Sequence, residues 1–195
     1  MNDLPMLNQS RANRSDAARN RELLLETARR LFDEQGVDAV PMSAVAEAAG
    51  VGKGTLYRHF ANKALLCETL IDEAQRDLQE RTFVKLRQQP DPAAMLHWFV
   101  REVSVFVHSN AAFLRAGGTE VLTHPAHGWW RQTIRALLGR IDFSHKPVLP
   151  DLDVLTDVLY LMLDVRAQVF QQNARGWDLA RIQDGLDSLL DSLIH

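Results

Sequence analysis

Apolar residues recur at helical spacing along most of the chain, and nowhere do they sustain the alternation that a strand requires. Leu24, Ala28, Leu31 and Gln35 follow one another at steps of four, three and four, with Leu25 and Phe32 widening the stripe. This predicts a first helix from Asp16 that stops at Gly36, where a glycine suits a left-handed helix end. Pro41 opens a short Ala-rich helix, since proline is tolerated in a first turn, and Gly50 closes it. Val51-Gly52 then turns the chain into another short helix from Lys53 to Phe60. Asn62 is placed to cap a fourth helix, from Lys63 to about Gln89, broken by Pro90-Asp91-Pro92. Further helices are predicted over 92–109, 111–117 (ending at Gly117-Gly118), 128–139, 151–173 and 178–194. The interval 140–150, with Pro147 and Pro150, reads as a loop, and Gly176 separates the last two helices. The fold class is all-α: an N-terminal three-helix helix-turn-helix domain followed by a helical domain.

Residues 1–15 are rich in Asn, Ser and Arg, have no apolar period, and are expected to form a mobile N-terminal arm. Residues 16–62 read as the small domain and residues 63–195 as the larger one. With 195 residues, 46% hydrophobic and 24% charged, the chain has the balance of a globular protein rather than a disordered one. One cysteine, Cys67, excludes an internal disulfide and fits a reducing compartment. No apolar stretch approaches the ~20 residues of a membrane span. The start lacks the pattern of a signal peptide, so the expected address is the cytoplasm. Residues 1–66 hold nine Lys/Arg and eight Asp/Glu, against thirteen and seventeen in 67–195. A net charge of −3 argues against indiscriminate binding to nucleic acid but leaves room for a local basic face.

That face is predicted in residues 40–60. Ala46 and Ala49 allow close helix approach, Gly50 supplies the turn, and Val45, Val51, Leu56 and Phe60 face one core. Two short helices crossing at such a turn form a helix-turn-helix, whose second helix enters the major groove of DNA. Its residues Lys53, Thr55, Tyr57, Arg58 and His59 offer donors, while Gly54 lets the backbone approach closely. An ordinary helical hairpin with a solvated polar face is the plainer alternative.

Leu31-Phe32-Asp33-Glu34-Gln35-Gly36, Ala46 with Gly50-Val51, Gly54-Thr55-Leu56-Tyr57 with His59-Phe60, and Lys63 carry a resemblance. Through them the span from about Arg19 to Leu66 resembles the N-terminal DNA-binding domain of TetR-type (tetracycline-repressor-like) bacterial regulators. The resemblance implies an all-α homodimer on palindromic double-stranded operator DNA, most often a repressor released by a small-molecule effector. By position it implies Lys53, Gly54 and Thr55 near bases, and Tyr57, His59 and Lys63 on phosphates. Two departures stand out. Pro41 occupies a place where the family usually has Thr or Ser, and Gly52 one where Ser often precedes the recognition helix. Gly52 still serves as a helix cap, a few tenths of a kcal/mol weaker, and Ser43 is the candidate substitute for the missing phosphate contact.

Other patterns have simpler readings. Gly50 to Thr55 lacks the Gly-Lys-Ser/Thr adjacency of a phosphate loop. His124 and His127, with His108 or Cys67, lack the spacing of a metal site, and no nucleophile elbow is present. No catalytic residue, metal or cofactor is expected. Asp151, Asp153 and Asp157 complement the start of a helix. Leu152, Leu155 and Leu159, then Leu179, Ile182, Leu186, Leu189 and Leu193, form stripes suited to a four-helix interface between two subunits. A second row, Val154, Val158, Leu161 and Val165, makes the first of these helices apolar around much of its girth. Packing of both stripes into their own core is the alternative. Trp98, Phe106, Trp130 and Ile134, with Arg101, Glu102, Asp164 and Gln168 among them, are candidates for an effector pocket or for plain core. Asp164 and Arg166 are candidates for a pair across the dimer.

The expected function is therefore a ligand-released transcriptional repressor acting without a membrane partner. Effector binding would tilt the fourth helix and change the separation of the two reading heads. A DNA-binding protein with no ligand or under a partner's control, and an enzyme built on the helical domain, are the competing classes.

Overall fold

The computed structural model describes the backbone of residues 4–116, 125–146 and 151–195, and the side chains of 16–115, 128–146 and 151–195. Nine helices and no strand occur among the described residues: α1 (Leu4–Gln35), α2 (Met42–Ala48), α3 (Lys53–His59), α4 (Lys63–Gln88), α5 (Pro92–Ala116), α6 (Pro125–Leu138), α7 (Leu152–Met162), α8 (Val165–Arg175) and α9 (Leu179–Ile194). The chain forms two compact units, Met1–Leu70 and Ile71–His195, and the division falls within α4.

Three boundaries differ from those the pattern predicts. α1 begins at Leu4 rather than Asp16, so most of the expected arm is helical. Pro5 sits in its first turn, where its missing N–H is harmless, and no Gly or Pro follows until Gly36. The intervals 92–109 and 111–117 form one helix, because Asn110 turns its amide back to the carbonyl of Phe106 at 2.8 Å instead of competing with the backbone. The interval 151–173 is two helices. At Asp164 the backbone extends (φ −62°, ψ 138°) and its carboxylate accepts the N–H of Arg166 at 2.8 Å, a new N-cap. Gly176, at φ 67°, then ends α8 in the left-handed conformation that glycine adopts without strain. Residues 1–3, Gly117-Gly118, Pro147 and Pro150 lie outside the described residues.

In the N-terminal unit, α1 packs on α2 and α3, and α2 packs on α3. Leu24, Ala28, Val45, Leu56 and Phe60 are fully enclosed there. Gly50 takes φ 67° between α2 and α3. Asn62 caps α4 as its sequence position predicts, accepting the Leu65 N–H at 2.9 Å. The Lys63 ammonium reaches back to the Val37 carbonyl at 2.7 Å and ties the start of α4 to the loop after α1. Arg29 on α1 donates to the Leu70 carbonyl at 3.1 Å. The His59 ring is half-buried and its Nε2 is enclosed without a hydrogen-bond partner.

In the C-terminal unit α5 is central, packing on α6, α8 and α9, while α6 packs on α7. Its apolar side sets Phe99 edge-on to Trp129 and Phe106 edge-on to Trp130, at 5.5 and 5.4 Å between ring centres. Towards α9, Arg101 pairs with Asp187, and the His97 Nδ1 lies 2.8 Å from the same carboxylate. Towards α8, the Gln168 amide meets the Ser104 hydroxyl at 3.3 Å. Asp151 caps α7 through the N–H groups of Asp153 and Val154. Asp153 and Asp157 also bridge from α7 to Arg135 and Arg131 of α6. These bridges are exposed to water, which screens them, so they add little to stability.

Two consequences for stability follow from the caps and the buried ring. Asp164→Ala removes the α8 cap and is expected to lower unfolding free energy by about 1–2 kcal/mol, as read from urea denaturation. Burial first, then the charges of Arg58 and Arg21, holds the His59 imidazole below the ordinary histidine value. The unfolded chain therefore binds the proton more readily, so this contribution is intact above about pH 6.5 and is lost as pH falls through the lower native value. Calorimetry at descending pH is expected to show a steeper fall in melting temperature for the native chain than for His59→Gln.

Candidate functional site

α3 is held from beneath and presented from above. Leu56 and Phe60, four residues apart, are 0% and 1% exposed and root it in the N-terminal core. The intervening turn carries Lys53, Gly54, Tyr57 and Arg58 on the outside, with Tyr57 51% exposed. Thr55 is half-buried and lies 3.4 Å from the Arg58 guanidinium. α3 contains two permanent cations and no acidic residue. At 1.5 Å per residue its seven residues span about 10 Å, within reach of a major groove about 12 Å wide.

The two glycines shape the approach. A Cβ at Gly52 or Gly54 would meet nothing within 4 Å, so both glycines leave open space beside the backbone at the start of α3. Gly52 is extended (φ −65°, ψ 144°) and offers no side-chain cap to α3, as its lack of a hydroxyl dictates.

The remaining candidates sit apart from this outer row. Ser43 is half-buried on α2, next to the exposed Pro41 that precedes the helix. His59 points its Nε2 into protein, and Lys63 spends its ammonium on the Val37 and Asp38 carbonyls, at 2.7 and 3.4 Å. At the base of α3, the Arg21 guanidinium of α1 lies over the Phe60 ring, 5.6 Å from its centre. A cation 39 positions away from the ring it covers carries no local signal.

In the C-terminal unit the candidate pocket residues separate into two groups. Phe106, Trp130, Ile134 and Gln168 are enclosed, and Trp98 is half-buried. Arg101, Glu102 and Asp164 are engaged in the framework: Arg101 with Asp187 and Asp184, Glu102 with Arg81, and Asp164 with Arg166 beside it. Asp164 thus meets Arg166 within its own chain. Gln75, Ser104 and Asn110 are buried polar residues that the pattern reading missed. The signal was present, since Gln75 interrupts an apolar row at Ile71 and Leu78, and Asn110 another at Phe106 and Phe113.

The apolar stripes also sort themselves. Leu155, Leu159, Ile182 and Leu186 are buried in the chain's own core, and Leu152, Leu179, Leu189 and Leu193 are half-buried. The outward row is instead Val154, Val158 and Leu161, 45–59% exposed, with Phe170 at 58% on α8. A helix apolar on two sides must commit one row to its own core, and neighbouring α6 decides which. His108 faces Gln172 at 2.8 Å and Cys67 is buried, its thiol pushed up by burial. His124 and the side chain of His127 lie outside the described residues. None of the helices, among the described residues, is long and apolar enough to cross a membrane.

Residues 24–70 match the family model for bacterial regulatory proteins of the tetR family. An HTH-type transcriptional regulator of Staphylococcus aureus (strain USA300) is 49% identical over 65 residues, which are 33% of this chain and 34% of that protein. The chain thus aligns with about a third of the length of the curated relatives it matches. A TetR-family regulator from Pectobacterium atrosepticum shares the fold at a TM-score of 0.68 and 20% identity, covering 93% of this chain and 95% of that one. AibR, solved with isovaleryl coenzyme A and operator DNA, does so at 0.60 and 18%, covering 87% and 97%. Residues 24–70 thus match the DNA-binding domain of the tetR family of bacterial regulatory proteins, and the chain shares its fold with solved regulators of that family.

Proposed function

We propose that this protein is a cytoplasmic transcriptional regulator: a homodimer that represses from a palindromic operator and is released when a small molecule binds within residues 63–195. The observation that carries the reading is α3, a cationic helix rooted by Leu56 and Phe60 with Lys53, Gly54, Tyr57 and Arg58 facing outward. Lys53, Gly54 and Thr55 read base edges; Tyr57 and Arg58 hold phosphates. Ser43 adds a hydroxyl from α2. His59 and Lys63 serve the orientation of α3 and α4, Lys63 through its bonds to the Val37 and Asp38 carbonyls, with its third N–H available to phosphate.

Dimerisation follows from surfaces that the single chain leaves uncovered. Val154, Val158 and Leu161 make an apolar face on α7. On α9, Gly185 and Ser188 line an open cavity of about 530 Å³ whose far side is Trp177 and Arg181. We assign both to contact with a second copy, whose α3 then falls about one helical turn of DNA, 34–36 Å, from the first. AibR, a fold neighbour crystallised with both operator DNA and an acyl-coenzyme A, supports coupling of the two kinds of ligand. An effector that favours the released state by about 3 kcal/mol shifts the populations roughly a hundredfold.

Selection of genomic fragments by the purified protein is expected to yield a palindrome, and Tyr57→Ala is expected to weaken its binding at least tenfold with the dimer intact. Equal binding of the palindrome and random duplex at moderate salt would overturn the assignment of α3. Val158→Glu with Leu161→Glu, and separately Gly185→Arg, are expected to convert the dimer to a folded monomer by light scattering. Because a Cβ at Gly185 meets nothing within 4 Å, that substitution spares the chain's own packing.

A further inference from the structure

Among the described residues of the C-terminal unit, four amides keep an enclosed atom without a partner, Gln75, Asn110, Gln168 and Gln171, and the first two border one aromatic pair. The indole N–H of Trp130 donates to Gln75 Oε1 at 3.1 Å. An indole nitrogen only donates, so this contact fixes the amide: its oxygen faces the tryptophan and its NH2 points elsewhere. That Nε2 is enclosed and has no partner. The Asn110 amide donates through Nδ2 to the Phe106 carbonyl at 2.8 Å, and a carbonyl only accepts. Asn110 Oδ1 is therefore the leftover atom, and it too is enclosed without a partner. Both residues are 5% exposed. Gln75 meets the Trp130 indole, Asn110 meets the backbone of Phe106, and the Phe106 ring stands edge-on to Trp130.

An unpaired donor on the partner of Trp130 and an unpaired acceptor on the partner of Phe106 are a costly way to fill a core that Leu or Met would fill more stably. A guest that supplies the missing partners removes the penalty. The charges nearby define that guest. Among the described residues the buried polar groups of this unit are Gln75, Thr82, Ser104, Asn110, Thr156, Asp164 and Gln168. Asp164 alone of these ionises readily, and it is engaged by Arg166. No cation is buried there to receive a carboxylate, and an anionic head would face the bare Asn110 oxygen. An ammonium would satisfy Asn110 and confront the Gln75 NH2.

We infer that Gln75 and Asn110 form the head-group site for the effector, and that they select an uncharged carboxamide-type group (a primary or secondary amide or a lactam) on an apolar body. The amide C=O accepts from Gln75 Nε2, its N–H donates to Asn110 Oδ1, and the apolar body lies against Phe106 and Trp130. This rests on the reading of residues 63–195 as the effector-binding region and names the chemistry recognised there.

The test is calorimetric titration of the full-length chain with matched probes: hexyl, cyclohexyl and benzyl bodies, each bearing a carboxamide, a carboxylate or an aminomethyl head. At least one carboxamide is expected to bind tenfold or more tightly than the carboxylate and ammonium on the same body. Asn110→Leu and Gln75→Leu are each expected to abolish that preference. Asn110→Leu is also expected to raise the melting temperature of the unliganded chain, because it deletes the orphan acceptor. Equal affinity across heads, binding by no carboxamide, or a preference that survives both substitutions would overturn the inference. Selective operator binding measured in parallel separates the two failures: a chain that finds its palindrome yet ignores every carboxamide loses only this assignment.

Discussion

The burial of Leu56 and Phe60 beneath α3 is the contact on which the outward cationic surface of that helix depends. A seven-residue helix is far too short to be stable in water by itself, since nucleation outweighs the few hydrogen bonds it gains. Two enclosed side chains, worth roughly 2–3 kcal/mol each in transfer free energy, hold it against α1 and α2. The same rooting fixes which side faces out, so Lys53, Tyr57 and Arg58 are presented by the helix, with Arg58 also donating to the Thr55 hydroxyl. Arg21 over the Phe60 ring and Lys63 on the Val37 carbonyl brace the two ends of this arrangement.

The C-terminal unit is organised by a different constraint, the central position of α5. Contact with α6, α8 and α9 leaves little of its surface for water. Polar residues on it must therefore find partners across helix boundaries. Most do: Arg101 and His97 meet Asp187, Glu102 meets Arg81, and Ser104 meets Gln168. Asn110 meets only half of its capacity, as does Gln75 on α4. The framework pairs stiffen the bundle, while the incomplete amides give it somewhere to respond. A unit that is fully satisfied has nothing to gain from a guest, whereas an enclosed orphan atom gains a partner from one.

The break at Asp164 links these features. The change of direction between α7 and α8 lets α7 pack on α6 and α8 pack on α5. An unbroken helix over 151–173 would carry one straight stripe. The capped break instead leaves Val154, Val158 and Leu161 on the outside of α7 while Val165 and Gln168 turn inward on α8. The uncovered face thus results from the cap as much as from the apolar residues themselves.

The helical class, the helix-turn-helix and the turns at Gly36, Gly50 and Gly176 were determined by sequence alone. Each rests on a local property: a period of apolar residues, a capping side chain, or a backbone angle that only glycine adopts easily. The outer row of α3 was legible for the same reason, since Leu56 and Phe60 define its inner face by spacing. Tertiary structure alone decided which apolar row of α7 is core and which is surface, that Arg101, Glu102 and Asp164 serve the framework, and that Gln75 meets Trp130. Enclosure is a property of neighbours distant in sequence: Trp130 reaches Gln75 across 55 positions. No short window along the chain contains both, and only the packing of the helices brings their polar atoms together.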